Sequence, residues 1–465
     1  MARGDLALVL MAAGKGTRMR SRLPKVLHPI CGRPILLHAL EMGRELGARR
    51  RIVIVGAGEE QVRAALEGQD VELVQQAEQR GTAHAALSAR SALAGHDGPV
   101  LVMNGDHPLY RAATFAAMRE AFEASAADLE ILVTDMPNPN GYGRVLRDSG
   151  GRVVRIVEER ECSDTMKRIS EVNLGAYLAD ARLMFDLLSR VRDDNDKREF
   201  YITDIVELAL ALGRKVEAAR ADDWSESLGI NTRLELARAE GLMRTRLVDE
   251  LLEGGVSMVD PETTYVEVDV GVGEDTVLAA GVTLRKGTRI GANCRIDPGV
   301  VIDGCTIGDD VWVKPGCFLE RSRVGSRCEL GPNAHLRPGS QLADDVRIGN
   351  FVEVKNSVLG PGTKADHLAY IGDADVGSKV TFGCGAIVVN YDGAKKTRTT
   401  VGDRAFIGCN SNLIAPVVIE PDAYVGAGST ISKTVPSGAL GIARAEQRNI
   451  EGWRKRRFKD AGHDQ

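Results

Sequence analysis

From residue 272 to residue 431 an aliphatic side chain recurs at nearly every sixth position, and no other feature of the chain narrows its fold so far. Val272, Leu278, Leu284, Ile290, Ile296 and Ile302 are spaced by six. After single-residue skips the rhythm resumes at Ile307, Val313 and Leu319, and then at Val324, Leu330, Leu336, Leu342, Ile348 and Val354. It runs again from Val401 through Ile407, Leu413, Ile419 and Val425 to Ile431. Two positions earlier stands a residue that is usually small, as at Cys294, Val300, Cys305, Val311, Cys317, Cys328, Ala334 and Ser340. A hexapeptide period is the mark of a parallel β-helix, in which both residues point inward and three hexapeptides close one coil; the span predicts about nine coils. Four of the eight cysteines thereby become small core residues. No C-x-x-C pair supports a metal or redox motif instead.

Function in such a solenoid resides where the rhythm breaks. It breaks at "NYDGAKKTRTT" (390–400), and unusual residues mark "HLRPG" (335–339), "NFVEVKNS" (350–357) and "KADHLAYIGD" (364–373). His367 is a candidate base, able to take a proton from an attacking amine near neutral pH. The competing reading is a surface histidine on a coil. Arg337 and Lys355 offer cations for a sugar phosphate, and Tyr370 and Asn390 offer oriented hydrogen bonds.

The first half has a different grammar. Residues 5–12, 51–56, 99–103 and 127–135 are apolar runs that read as strands, and 34–46 has helical spacing. Such alternation predicts an α/β domain with a mainly parallel sheet and helices on both faces, with ligands outside the carboxyl ends of the strands. "LMAAGKGTRM" lies at one such end and "NGDHPL" (104–109) at another. The first is neither a Walker A loop nor G-x-G-x-x-G. Its small residues Ala12, Ala13 and Gly14 still allow close backbone approach to phosphate oxygens, with Arg18 and Lys25 as nearby cations. An ordinary strand–turn–helix with solvated basic residues is the alternative. Gln76 and Gln79 can read both edges of a base, and Asp106 suits a Mg²⁺ ion that takes the rest of its shell from phosphates.

Residues 231–255 show helical spacing ending at Gly254-Gly255, read as a helix that either joins two domains or closes the first. A net charge of −5 argues against general nucleic-acid binding, and no run of about 18 apolar residues offers a membrane span. The start of the chain lacks the pattern of a secretory signal, so a soluble cytoplasmic protein is expected. The basic stretch "WRKRRFKD" (453–460) reads as a solvated terminal helix or as a contact for coenzyme A phosphates.

The "LMAAGKGTRM…LPK" opening resembles the sugar nucleotidyltransferases over about the first 233 residues. The repeats with "RPG", "NFVEVK", "HLAYIGDA" and "NYDG" resemble the left-handed hexapeptide acyltransferases over about 255–450. Together they resemble the bacterial bifunctional family that joins an N-acetylglucosamine-1-phosphate uridylyltransferase to a glucosamine-1-phosphate acetyltransferase. The resemblance implies a Rossmann-like nucleotidyltransferase domain at 1–233, a linker helix at 234–254 and a left-handed β-helix with a tail at 255–465. It implies that Met11, Ala12, Ala13, Gly14, Gln76, Gly81 and Thr82 hold the uridine nucleotide, with Lys25 on phosphate. Asn104, Gly105, Gly141, Glu158 and Asn173 would surround the sugar, and Asp106 and Asn231 would hold Mg²⁺. In the second half it implies His367 as base, with Arg337, Lys355, Tyr370, Asn390 and the pocket position Thr381 at the amino-sugar phosphate. Asn390, Tyr391, Ala427, Arg444 and the positions of Cys384 and Cys409 would meet acetyl-CoA. The implied partners are UTP, glucosamine 1-phosphate, acetyl-CoA and N-acetylglucosamine 1-phosphate, in a homotrimer with its acetyl site between subunits.

The departures from the family pattern are Met11 for leucine, Thr381, Cys384 and Ala386 in the stretch before "NYDG", and Cys409 for serine. Met11 is apolar and of similar volume to leucine, so little effect is expected there; the others are small-for-small changes on the acetyl-CoA side, where altered affinity is expected more than loss. Two other readings pair the same folds: a sugar-1-phosphate nucleotidyltransferase with a non-catalytic β-helix, and a non-catalytic exchange-factor-like subunit. The nine-coil span, His367 and "NYDG" speak against the first, and Arg18, Lys25, Asp106 and Asn231 against the second.

Overall fold

The computed structural model describes residues 4–56, 58–195 and 198–458. The chain divides into two compact units, Met1–Arg246 and Leu247–Gln465.

Unit 1 is built on a nine-stranded sheet: β1 (Ala7–Met11), β2 (Arg50–Val55), β3 (Glu72–Gln75), β4 (Pro99–Asn104), β5 (Leu129–Asp135), β6 (Arg144–Arg147), β7 (Val153–Val157), β8 (Glu171–Asp180) and β9 (Val216–Arg220). The order is β9-β5-β8-β4-β1-β2-β3, with the hairpin β6–β7 attached through β8. β1 is buried along its whole length because both faces are covered. Ala7, Val9 and Met11 join one core cluster, and Leu8, Leu10 and Ala12 join the other. Helix α1 (Ile35–Glu45) approaches so closely that a Cβ on Gly43 would lie 2.2 Å from Leu8 Cδ2. The expected sheet is corrected in one respect: β8 runs antiparallel to both β4 and β5, so the sheet is mixed. Its long strand brings Asn173 back toward the carboxyl end of β4.

Unit 2 is the β-helix. Its short strands form parallel sheets of 11, 10 and 9 strands, the stacked coils of the expected left-handed β-helix. The sixth-position aliphatics stack in register: Leu278 on Ile296, then Val313, Leu330 and Ile348. They form one continuous core with Cys294, Cys305, Cys317 and Cys328. The small inward positions also satisfy the backbone at the corners. Thr276 Oγ1 donates to the Gly291 carbonyl (2.8 Å), and Cys328 Sγ donates to that of Ala343 (3.2 Å). Left-handed corner residues include Asp275, Asn293, Asp310 and Asp345, types that tolerate positive φ. The break in the rhythm at 390–400 folds into a turn in which Asp392 Oδ1 accepts from the amides of Ala394 and Lys395, both 2.8 Å.

A 21-residue helix, α2 (Arg233–Glu253), contains the boundary between the units. Glu235 caps its start by accepting from the amides of Asn231 and Thr232, and it stops at Gly255, φ +89°. Among the described residues no helix is long and apolar enough to cross a membrane.

Two measurements follow from this packing. Burial pushes the Cys305, Cys317 and Cys328 thiols up to about 11, and a thiol attacks as its thiolate. Iodoacetamide at neutral pH should therefore label Cys384 and Cys409, the two exposed cysteines, in the native protein, and all eight after denaturation. Native labelling of the core thiols at comparable rate would contradict the packing.

The second concerns Glu130, on β5 and almost fully buried. Burial, with Glu217 beside it, pushes its carboxyl up to about 7 against the opposing pull of Lys215. The folded state then holds a proton that the unfolded chain releases near pH 4.3, so this group's contribution falls as pH rises from about 4 to 7. Glu130→Gln should raise the melting temperature of unit 1 relative to the parent at pH 8 and leave it level at pH 4. An equal gain at both pH values would contradict this.

Candidate active sites

The carboxyl ends of β1 and β4 lie side by side, with Met11 paired to Asn104 and the Gly105 amide donating to the Met11 carbonyl (3.0 Å). This register carries Ala12 to Gly14 and Gly105-Asp106 to one edge of the sheet. Gly14 is open, with no heavy atom within 4 Å of where a Cβ would stand. Gly105 is crowded: a Cβ there would meet Leu36 Cδ1 at 3.2 Å and the Met11 oxygen at 3.3 Å.

Five charged or polar side chains from three stretches of the sequence converge at this edge. Lys25 Nζ is ion-paired with Asp106 Oδ2. Asn231 Oδ1 accepts from Lys25 Nζ (3.1 Å) and from Arg18 Nη2 (2.9 Å). His107 Nδ1 lies 2.9 Å from Asp106 Oδ1, with its ring stacked on Tyr110. Burial works to raise the Asp106 carboxyl, but Lys25 and His107 overcome it and hold the group well below the ordinary carboxylate range. One carboxylate oxygen and one amide oxygen on a single ammonium form a donor set that also suits a hard divalent cation completed by phosphate oxygens and water.

The flanks are equally specific. Gln76, buried, donates from Nε2 to the Gly81 carbonyl (3.3 Å), with His84 Nδ1 at 3.1 Å. Gln79 Nε2 reaches the Ala13 carbonyl (2.5 Å), bracing the glycine loop rather than standing free as a base reader. Gly81 has φ +118°, and a Cβ there would collide with the backbone of Phe200 at 2.5 Å. Thr82 Oγ1 accepts from the Ile202 amide (3.0 Å). On the other flank, Asn173 Nδ2 donates to the Tyr177 hydroxyl (2.7 Å), Thr203 Oγ1 donates to Glu158 Oε1 (3.2 Å), and Gly141 sits at φ +89° with open space around it.

In the solenoid the residues singled out in the sequence fall into two groups. Arg337, Lys355, Tyr370 and Asn390 belong to one sheet and its edge. Glu353 stacks between His335 and Tyr370 and accepts from Arg337 Nη1 (2.9 Å). Asn390 Nδ2 is 3.4 Å from the Tyr370 hydroxyl and also bonds Asp373. Lys396, from the inserted turn, lies against Lys355 and lowers its pKa. The two adjoining ammonium groups and the Arg337 guanidinium form a cationic face suited to an anion, with Glu353 and Asp373 as its counter-charges.

The second group is a column on successive coils. Asn350 pairs with His367 in register, and the aligned pairs Ala365–Phe382, Phe382–Ile407 and Ile407–Val425 place Cys384, Cys409 and Ala427 in line above it. Arg444 Nη1 donates to the Ala427 carbonyl (3.0 Å). Thr381 stacks between Lys364 and Phe406 in the same sheet, and Tyr391 is exposed at the inserted turn. His367 Nδ1 bonds Asn350 Oδ1 (2.7 Å), which fixes the proton on Nδ1 and leaves Nε2 as acceptor. The other repeat histidine, His335, has its Nε2 3.1 Å from Glu320 Oε2, and Asp366 pairs with Arg347 (3.0 Å).

Sequence reasoning missed Asn350, Asp373, Lys396, Glu353 and His107 as supports of these groups. All but His107 lie within or beside motifs already marked as breaks in the rhythm, so the signal was present without a geometry to assign it.

A nucleotidyltransferase-type sheet with a cation-ready edge, followed by a hexapeptide solenoid with a histidine column, defines the class of two-domain transferases. Family models agree in parts: a MobA-like NTP transferase domain matches residues 8–200, a GMPPB C-terminal domain matches 261–365, and the bacterial transferase hexapeptide (six repeats) matches 398–433. The chain is 46% identical over 448 residues to the bifunctional protein GlmU of Listeria welshimeri, covering 96% of this chain and 98% of that one. It is 44% identical over 456 residues to GlmU of Pelobacter propionicus, covering 98% and 99%. It is 45% identical over 445 residues to GlmU of a Geobacillus species, covering 96% of each. The chain belongs to the GlmU family of bifunctional proteins.

Proposed function

We propose that the chain makes UDP-N-acetylglucosamine in two consecutive reactions, acetylating glucosamine 1-phosphate in the solenoid and joining the product to UTP in the first unit. The observation that carries this reading is that both convergent groups occur in one chain aligned to GlmU relatives over nearly its whole length. The division of labour follows 1–233, 234–254 and 255–465.

In the solenoid, the phosphate of glucosamine 1-phosphate is held by Arg337, Lys355 and Lys396, with Tyr370 and Asn390 orienting the sugar. The amine attacks the thioester carbonyl of acetyl-CoA. A C–N bond forms, the C–S bond breaks, and the amine proton passes to His367 Nε2. Thr381 completes the amino-sugar pocket, and the backbone at Cys384, Cys409 and Ala427, with Tyr391 and Arg444 at the margin, lies along the acetyl-CoA path. In unit 1, the phosphate oxygen of N-acetylglucosamine 1-phosphate attacks the α-phosphorus of UTP, and the bond to pyrophosphate breaks. Arg18 and Lys25 face the charge that develops. Asn104, Gly105, Gly141, Glu158 and Asn173 surround the sugar, while Met11 to Gly14, Gln76, Gly81 and Thr82 hold the nucleotide. Asp106 and Asn231 would hold Mg²⁺, which when bound neutralises phosphate charge. A homotrimer assembled through the solenoid and a cytoplasmic location, where UTP and acetyl-CoA are made, belong to the same reading.

Asp106→Ala should abolish uridylyl transfer and spare acetyl transfer; wild-type uridylyl turnover in that variant would sink the metal assignment. His367→Ala should lose about 10² to 10⁴ in acetyl-transfer rate at neutral pH with uridylyl transfer untouched. Near-normal acetylation in His367→Ala, with loss in His335→Ala, would move the base to the other histidine. Sedimentation should give a trimer; a monomer with full acetyl activity would refute the shared site.

A further inference from the structure

Arg144 is the largest fully buried side chain among the described residues. It is a cation in a place where size alone would be met by an apolar chain. Its backbone lies in the middle strand of three: Arg144 pairs with Val157 on β7 and with Val172 on β8. Those two residues immediately precede Glu158 and Asn173. The Asn173 amide donates to the Gly143 carbonyl (2.9 Å), and Gly141 and Tyr142 lead into β6. Thus the three segments that carry Gly141, Glu158 and Asn173 meet around Arg144.

The side chain joins two of them directly. Nη1 donates to the Tyr142 carbonyl, and Nη2 is 2.7 Å from Glu159 Oε2. Glu159 begins the short turn Glu159–Glu161, which sets the direction in which Glu158 leaves β7. The guanidinium is a rigid fork, so one side chain fixes the distance between the loop after Gly141 and the turn after Glu158. A lysine retains the charge but carries it on one nitrogen, which cannot meet both partners at the spacing that Nη1 and Nη2 set. Tyr142 is held from its other end as well, its hydroxyl donating to the Ser227 carbonyl (3.3 Å).

We propose that Arg144 is a positioning residue for the sugar phosphate in uridylyl transfer: by tying Tyr142 to Glu159 it sets the spacing between the Gly141 loop and Glu158. It touches neither substrate. This rests on the reading that Gly141, Glu158 and Asn173 surround the sugar. The nucleotide side of the edge has its own braces, Phe200 bonding Arg80 and Ala83 and the Ile202 amide bonding Thr82, whereas the fork bonds Tyr142 and pairs with Glu159. The consequence is therefore selective.

The test compares Arg144→Lys, Arg144→Met and the double variant Arg144→Met/Glu159→Met, with Glu158→Gln as a reference for the sugar site. Melting temperature, kcat, and KM for each of N-acetylglucosamine 1-phosphate and UTP are measured. Arg144→Met leaves the Glu159 carboxylate without its partner and should melt early; the double variant removes both charges and should recover most of that loss. KM for the sugar phosphate should nonetheless stay raised about tenfold or more in the double variant, with KM for UTP within about twofold of the parent. Arg144→Lys should show the same split in milder form, and it carries the test alone if the double variant does not fold. Recovery of the sugar-phosphate KM together with stability would overturn the proposal, leaving Arg144 a packing residue. So would an equal rise in both KM values. If Glu158→Gln raises the sugar-phosphate KM and the Arg144 variants do not, the sugar site stands and the role of Arg144 falls. If Glu158→Gln leaves that KM unchanged, the sugar-site reading fails and takes the proposal with it.

Discussion

Register in parallel strand ladders is the constraint on which the glycine loop and Asp106 of unit 1 and both residue groups of unit 2 depend. In unit 1 the pairing of Met11 with Asn104 brings the glycine loop and Asp106 to one edge. In unit 2 the same rule acts vertically. A residue at a given point of one coil stands over its counterpart in the next, so His367, Cys384, Cys409 and Ala427 form a line although 60 positions separate its ends. A one-residue slip in either ladder would send alternate side chains to the other face and dissolve both groups.

Much of this could be read from residues alone. The hexapeptide rhythm defines the solenoid because a buried aliphatic at every sixth position has one packing solution. Cys294, Cys305, Cys317 and Cys328 follow from it as core residues. β1 and β4 were legible as unbroken apolar runs. The antiparallel entry of β8 was not, because a strand covered on both faces has the same composition whichever way it runs. The site residues divide in the same way. Lys25, Asp106 and His367 carry a charge or a titratable ring that suggests chemistry. Asn350, Asp373 and Arg144 act by holding another group, and a support is recognisable only once the held group is seen beside it.

The two sites also differ in how charge is managed. At the first, the Lys25 ammonium rests on the Asp106 carboxylate, so opposite charges compensate one another and the group is pre-assembled. At the second, Lys355 and Lys396 bring like charges together, with Asp373 beside both, bonded to Asn390, and Glu353 on Arg337 as counter-charges. A dianion seated there would relieve the crowding of the two ammonium groups, which is what the proposed sugar-phosphate site requires.

The central claim is that one chain performs both steps in order, and it is tested most directly by mass-spectrometric analysis of products. The purified protein is given glucosamine 1-phosphate, acetyl-CoA, UTP and Mg²⁺ together, and then with each omitted in turn. The account predicts UDP-N-acetylglucosamine and pyrophosphate from the full mixture. It predicts N-acetylglucosamine 1-phosphate accumulating when UTP or Mg²⁺ is withheld, and no nucleotide sugar when acetyl-CoA is withheld. Nucleotide-sugar formation from glucosamine 1-phosphate without acetyl-CoA, or no acetylated product under any condition, would contradict it.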